Sequence, residues 1–360
     1  MSRPPQLQEL CLQITNACPL RCTHCSTRAG PRAPHEMSDD DILRLLSDFA
    51  ELGGKVIEFS GGEPITHPGL RRFVAEASFL DLEVRLYSSG VAHFRDGVAV
   101  PPDSSLWDTL RTSGLEKVFF NLQGETPELH ERVTRIPGSF SAVHASLRAA
   151  RAAGLFTGVH FVPMAPNFRH LDGTYKLASD LGVDEFAVLR LVLQGRAADN
   201  RDSLALTQSE FFEVLSGALN LQKESSRVRV RLGCPLNHRL LLEPGAKGPA
   251  CRAGEGVCHV RPNGDVVPCS GLQHAGVVLG NVRATSLADA LRAGSAWASF
   301  RDWRSQGPVP GSVEFIRATG DPCLAQLATA TETSELKLTS KEELRRGLGT
   351  QVPRAVARIR

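Results

Sequence analysis

The chain has 360 residues, 42% of them hydrophobic and 22% charged, with a formal net charge of +2. That balance suits one large α/β unit plus a smaller one and gives no general attraction to nucleic acid or anionic membranes. No run of about 18 apolar residues occurs, and the opening MSRPPQLQEL lacks the apolar stretch of a signal peptide, so a cytoplasmic protein without nucleic-acid or membrane partners is expected. Nine cysteines in a reducing compartment argue for metal binding or catalysis rather than disulfides.

LCLQIT (10–15) reads as a first strand. SDDDILRLLSDFAELG opens on a capping Ser38 with an acidic first turn. It carries Ile42, Leu43, Leu45, Leu46 and Phe49 at helical spacing. KVIEFS (55–60) is a second strand and GLRRFVAEAS a second helix. EVRLYSS (83–89), KVFFNL (117–122), TGVHFVP (157–163) and EFAVLRLV (185–192) are four more strands, with helical stretches at about 104–113, 139–153 and 168–181. Six strands alternating with helices predict a parallel sheet. Right-handed crossovers curl it into a partial (β/α)6 TIM-like barrel, with functional residues at the C-terminal strand ends.

Past about residue 225 the alternation stops. CHVRPNGDVVPC (258–269) reads as a hairpin with Asn263-Gly264 in a type I′ turn, and SLADALRAGSAWASF as a helix. The predicted organisation is a barrel over 8–222, a small α/β-appended domain over 223–330 and a basic tail over 331–360.

ACPLRCTHC places Cys18, Cys22 and Cys25 in a C-x3-C-x2-C run just after the first strand. Three thiolates hold zinc only with a fourth ligand, such as His24 or a distant residue. Alternatively they hold three irons of a four-iron cluster and leave one iron open. One βα unit later, FSGGEPITHPGL puts Gly61, Gly62, Glu63 and Pro64 after the second strand. Two glycines allow a close backbone approach, their amides suit an amino-acid-like group, and Glu63 suits an ammonium.

ITNACPLRCTHC followed by SGGEP resembles the radical S-adenosylmethionine (SAM) superfamily, over about residues 8–195. The resemblance implies that Cys18, Cys22 and Cys25 ligate a 4Fe–4S cluster whose open iron is chelated by the amino and carboxylate groups of SAM. Reductive cleavage then yields a 5′-deoxyadenosyl radical that abstracts a hydrogen atom from the substrate. It also implies an electron donor such as flavodoxin or ferredoxin. His24, where relatives usually carry an aromatic residue, would lie near the adenine, and Ser88 and Ser89 at a polar SAM contact. Asn121 and Gln123, where relatives read SLDG, would meet the ribose hydroxyls, and Arg190 at the end of strand six the SAM carboxylate.

CRAGEGVCHVRPNGDVVPC followed by GNVRATSLADAL resembles the C-terminal extension called twitch, or its longer relative SPASM. This implies Cys251, Cys258, Cys269 and Cys323 as ligands of one auxiliary 4Fe–4S cluster, because the C-x2-C-x5-C-x3-C run of a two-cluster extension is absent. Zinc suits four thiolates equally well. Cys11 reads as a small core residue. Cys234 is a buried thiol, an alternative ligand, or the candidate catalytic hydrogen-atom donor. Members with such extensions mostly modify peptides, so a peptide substrate in ribosomal peptide maturation is expected, although no leader-recognition module precedes the first strand. The alternatives are a dehydrogenase or epimerase acting on a sugar or aminocyclitol, and a non-catalytic metal-binding protein.

Overall fold

The structure, a computed structural model, describes residues 7–31, 35–233, 251–273, 277–292, 295–305 and 323. Cys234 and the basic tail lie outside them.

Strand β1 (Glu9–Thr15) alternates as a pleated strand must. Leu10, Leu12 and Ile14 turn to one face and are fully buried, while Cys11, Gln13 and Thr15 turn to the other. Helix α1 (Asp39–Glu51) starts where Ser38 and Asp41 form a capping box: the Ser38 hydroxyl accepts from the Asp41 amide at 3.2 Å, and the Asp41 carboxylate accepts from the Ser38 amide at 3.1 Å. Its Ile42, Leu45, Leu46 and Phe49 form one buried stripe.

β2 (Val56–Gly61), α2 (Leu70–Phe79) and β3 (Glu83–Ser88) follow. A small hairpin, β4 (His93–Arg95) and β5 (Val98–Val100), precedes α3 (Ser105–Thr112), β6 (Leu115–Asn121), α4 (Pro127–Thr134) and α5 (Ser139–Ala152). Then come β7 (Phe156–Phe161), α6 (Leu171–Asp180), β8 (Glu185–Val188), α7 (Arg196–Asp199), α8 (Arg201–Leu204), α9 (Gln208–Glu224) and β9 (Arg229–Leu232). The C-terminal region supplies β10 (Val257–Val260), β11 (Asp265–Val267), β12 (Gly280–Asn281), α10 (Leu287–Ala290) and α11 (Ala296–Ser305).

The strands lie in the order β12-β11-β10-β1-β2-β3-β6-β7-β8-β9, parallel from β10 through β9. The six strands read from the sequence are the middle of this sheet. β9 extends one edge and β10 the other. The C-terminal region therefore shares the barrel's sheet: β10 runs beside β1 with Leu10 opposite Cys258 and Cys11 opposite His259. Further ties are the Leu287 amide donating to Asp48 Oδ2 at 2.9 Å, the Met37 amide donating to the Pro262 carbonyl at 2.7 Å, and an Arg252–Glu9 ion pair at 2.9 Å.

Three local expectations are corrected. The sixth strand ends at Val188, so Arg190 sits in the connection beyond it. The β10–β11 turn is not type I′. Only Gly264 has a positive φ, 88°, its amide donates to the Arg261 carbonyl at 2.9 Å, and the Asn263 side chain accepts from the Asp265 amide at 3.2 Å. This is a type I turn closed by a glycine bulge, with Asn263 serving as a turn side chain rather than a left-handed residue. The stretch read as one helix after residue 286 is two, because it holds two caps. Ser286 Oγ accepts from the Asp289 amide at 3.1 Å, and Ser295 Oγ accepts from the Ala298 amide at 3.2 Å.

The sheet has two unlike faces. Leu10, Phe59, Leu86, Val118, Phe120, Phe161 and Phe186 join the helices in one apolar core. The inner face carries Cys11, Glu58, Tyr87, His160 and Arg231 instead, unusual for parallel strands buried on both sides. Among the described residues, no helix is long and apolar enough to cross a membrane. Phe59 is fully buried on the outer face and packs on Phe73 at 6.5 Å. Phe59→Ala is expected to cost about 3–5 kcal/mol, read as a drop in the urea unfolding midpoint.

Candidate active site

The cysteine loop leaves β1 and folds back on itself. The Cys18 amide donates to the Gly30 carbonyl at 2.7 Å, and the Gly30 amide to the Asn16 carbonyl at 3.1 Å. The turn after β2 meets it edge-on: the Gly62 amide donates to the Thr15 carbonyl and the Glu63 amide to the Ala17 carbonyl, each at 2.8 Å. A Cβ on Gly61 would lie 2.2 Å from the Thr15 oxygen, and one on Gly62 2.2 Å from the Ala17 oxygen; Gly61 also has a φ of 138°. The two glycines are there because the cysteine loop lies against them. The Gly62 amide, expected to be open to a ligand, is spent on that loop.

Glu63 departs from expectation in the same way. It is fully buried, and its carboxylate accepts from the Ser88 hydroxyl at 2.7 Å, the Ser89 amide at 2.6 Å, the Ser89 hydroxyl and the Ile65 amide at 3.3 Å. Burial pushes its pKa up to about 6 against the pull of those donors. The carboxylate thus ties the ends of β2 and β3 together rather than awaiting an ammonium, and Ser88 and Ser89 spend their hydroxyls on it. Pro64 is buried and starts a single 3-10 turn over Pro64–Thr66.

The other side of the loop is clamped by residues not read as functional in the sequence. Arg196 Nε donates to the Cys22 carbonyl at 2.8 Å and Nη1 to the Ala29 carbonyl at 2.6 Å, while its amide donates to the Cys25 carbonyl at 2.9 Å. Asn200 Nδ2 donates to the Thr23 carbonyl at 3.2 Å, and Arg28 pairs with Asp199 at 2.7 Å. From α4, the Thr134 and Val133 carbonyls accept from the Arg21 and Thr23 amides at 3.2 and 2.9 Å. Gly195, at φ 58°, stands where a Cβ would lie 2.4 Å from the Ser26 oxygen. The available signal was a Gly-Arg pair just beyond the last barrel strand. Arg190, the residue singled out there, lays its guanidinium over the Phe211 ring at 4.8 Å.

Cys18 and Cys22 pack against Leu20, Val91, Ala99 and Ala142, and Cys25 Sγ lies 3.3 Å from Thr27 Oγ1. Burial, then Cys22 and Glu63, raises the Cys18 thiol well above its ordinary range. Burial and Cys25 push Cys22 up to about 12, with Arg196 opposing. Burial and Arg196 lower His24 to about 4, and its Nδ1 is sealed in without a partner. Among the described residues, no three Cys, His, Asp or Glu side chains converge on a single metal ion.

Gln123 is fully buried and saturated. Its Nε2 donates to Asn121 Oδ1 at 2.6 Å and to the His160 carbonyl at 3.2 Å, and its Oε1 accepts from the Val162 amide at 3.1 Å. It orients Asn121 and is not itself open to a ribose. On the inner face the Tyr87 hydroxyl donates to Glu58 at 2.6 Å, and Arg231 pairs with Glu185 at 2.6 Å.

In the C-terminal region Cys258 is sealed in the apolar core, with Cys269 and Cys323 packed against that core and Cys251 half-buried. Cys11 is not a core residue. It shares the inner face with Glu58, and burial, then Glu58 and Cys258, raises its thiol well above the ordinary range. Cys11, Cys18, Cys22, Cys25 and Cys258 form no disulfide.

A model of the radical SAM superfamily matches residues 12–178, and one of SPASM, an iron–sulfur cluster-binding domain, matches residues 251–310. The AdoMet-dependent heme synthase of Oleidesulfovibrio alaskensis is 24% identical over 333 residues, 88% of this chain and 82% of that protein. The PqqA peptide cyclase of Xanthomonas campestris pv. campestris is 29% identical over 301 residues, 83% of this chain and 76% of that protein. The structure of Streptococcus suis SuiB bound to S-adenosylmethionine superposes with a TM-score of 0.71 at 14% identity, covering 91% of this chain and 75% of that one. This last likeness concerns the fold.

Arg196→Met would leave the Cys22 and Ala29 carbonyls without their side-chain donor. A loss of about 1–3 kcal/mol is expected for each, seen as a lowered melting temperature and faster release of iron from reconstituted protein. Arg196→Lys should rescue only part, because one ammonium does not reproduce the planar fork.

Proposed function

The chain belongs to the radical SAM superfamily and carries a SPASM iron–sulfur cluster-binding region, and from that premise we propose that it abstracts a hydrogen atom from a peptide. The observation that carries this reading is the cysteine loop: three thiols on one segment, clamped by β2, α4 and α7, just past the C-terminal end of β1.

In this reading Cys18, Cys22 and Cys25 hold a 4Fe–4S cluster with one open iron, and Cys251, Cys258, Cys269 and Cys323 hold the auxiliary cluster. The donor set fits. Cys18, Cys22 and Cys25 form no disulfide and supply three thiolate donors from one loop, the number that leaves one iron of a four-iron cluster open. Bound there, the cluster and SAM together supply the 5′-deoxyadenosyl radical. With Glu63 engaged, contact to the SAM ammonium falls to the backbone carbonyls of the Gly61-Gly62 turn. Asn121, its oxygen held by Gln123, would keep its amide NH2 for the ribose. His24 flanks the adenine, and Arg190, braced on Phe211, serves the SAM carboxylate.

A peptide substrate is supported by the PqqA peptide cyclase relatives and by the fold shared with SuiB, solved with its precursor peptide SuiA. The heme synthase relatives favour a second reading, a tetrapyrrole substrate.

Anaerobic reconstitution is expected to give about eight irons per chain, and about four in a Cys18→Ala, Cys22→Ala, Cys25→Ala triple variant. Reduced wild-type protein should form 5′-deoxyadenosine from SAM, and no formation would overturn the enzyme reading. Deuterium passing into 5′-deoxyadenosine from a perdeuterated peptide supports the first substrate reading; transfer only from a deuterated porphyrin decides for the second.

A further inference from the structure

His160 stands on the inner face of β7, in register with Asn121 on β6 and Ala187 on β8. Its ring closes a three-ring cluster, stacked on Phe119 at 5.1 Å and 24° and tilted against Tyr87 at 5.1 Å, with Tyr87 and Phe119 5.4 Å apart. Gly158 allows the stack, since a Cβ there would lie 2.3 Å from the Phe119 ring. The edge of the imidazole is fixed as well. Arg231 Nη2 lies 3.4 Å from His160 Nε2, and Arg231 Nε donates to Glu185 at 2.6 Å. Glu185 is buried, accepts from Arg231 and lies 3.6 Å from Arg229 Nε, so the guanidinium is anchored.

A guanidinium has donors and no acceptor. His160 Nε2 must therefore be the lone-pair nitrogen, and the hydrogen must sit on Nδ1. Burial and Arg231 lower the ring to about 3, which keeps it neutral near pH 7. Among the described residues, beyond the strand ladder, the hydrogen bonds of His160 run to its carbonyl from Leu122 and Gln123 and to Nε2 from Arg231, and none is made by Nδ1. Arg231 imposes the tautomer of this half-buried ring, and the remaining N–H is left over. The strand register sets His160 beside Asn121, where the proposed ribose contact is made.

We propose that His160 Nδ1–H is a substrate-binding donor that takes a carbonyl oxygen of the peptide next to the reacting carbon, with Arg231 and Glu185 as positioning residues acting through it. This rests on the reading of a peptide substrate. A carbonyl fits because the site offers one directed neutral N–H. The cations around it are already paired: Arg231 with Glu185, and Arg85 and Lys117 with Glu83.

The test uses the reconstituted protein with 15N-labelled histidine, and N-acetyltyrosine methylamide as the probe. Two-bond 15N correlations should report His160 as the Nδ1–H tautomer, and Arg231→Met should mix in the Nε2–H form. The probe should shift the Nδ1–H signal. Its binding should weaken at least tenfold in His160→Phe and His160→Gln and be retained in His160→Asn, whose amide nitrogen occupies the Nδ1 position. An Nε2–H tautomer in wild type, or equal probe binding by wild type and His160→Phe, overturns the proposal. The Nδ1–H tautomer with a response to a porphyrin and none to the amide overturns the peptide reading and the carbonyl assignment with it, while leaving the orientation by Arg231 standing.

Discussion

The carbonyl oxygens of Thr15 and Ala17 lie closer to Gly61 and Gly62 than any side chain would permit, and the amides of Gly62 and Glu63 answer them. Through this backbone contact the end of β1, the turn after β2 and, by way of Glu63 and its serines, the end of β3 become one rigid edge. The cysteine loop has almost no regular structure of its own, yet it must present three thiols in a fixed array. It does so because main-chain groups on both flanks grip its main chain. A backbone clamp constrains position without occupying the side chains, which leaves the thiols free for chemistry.

Charge is distributed by the same logic. The outer face of the sheet buries hydrocarbon against helices, whereas the inner face carries ionisable groups that are paired among themselves: Tyr87 with Glu58, Arg231 with Glu185, Lys117 with Glu83. Paired charges in a confined lumen fix directions for hydrogen bonding without a strong net field. Radical chemistry asks for such a setting, because the hazard is a reactive intermediate meeting the wrong group rather than a charge left unstabilised.

Much of this was legible in the sequence. The spacing of Cys18, Cys22 and Cys25, the placement of Gly-Gly-Glu-Pro one βα unit later, and the strand–helix alternation gave the architecture and the class of chemistry. What could not be read was which groups of each motif face the ligand. Glu63 looked available because nothing local says that Ser88 and Ser89, one helix and one strand further along the chain, will claim it. Arg196 was passed over because its partners are backbone carbonyls, which leave no sequence mark. Gln123 and Asn121 looked equivalent; only the contacts of Gln123 with the main chain of β7 and Val162 separate a structural amide from an open one. The turn at Asn263-Gly264 misled because an asparagine side chain bonded to the next strand competes with the left-handed backbone expected of it.

The pairing of β10 with β1 has a bearing on how the chain is made. Leu10 emerges among the first residues, and its partner Cys258 among the last described strands. Until the C-terminal hairpin is synthesised, the strand that leads into the cysteine loop keeps one bare edge of unpaired amides and carbonyls, a template for wrong pairing. Closing that edge is the most nonlocal contact in the sheet and so the slowest to form. The nascent barrel is thus complete in its βα units before it is complete in its sheet, and the arrival of the second cysteine set seals the strand that presents the first.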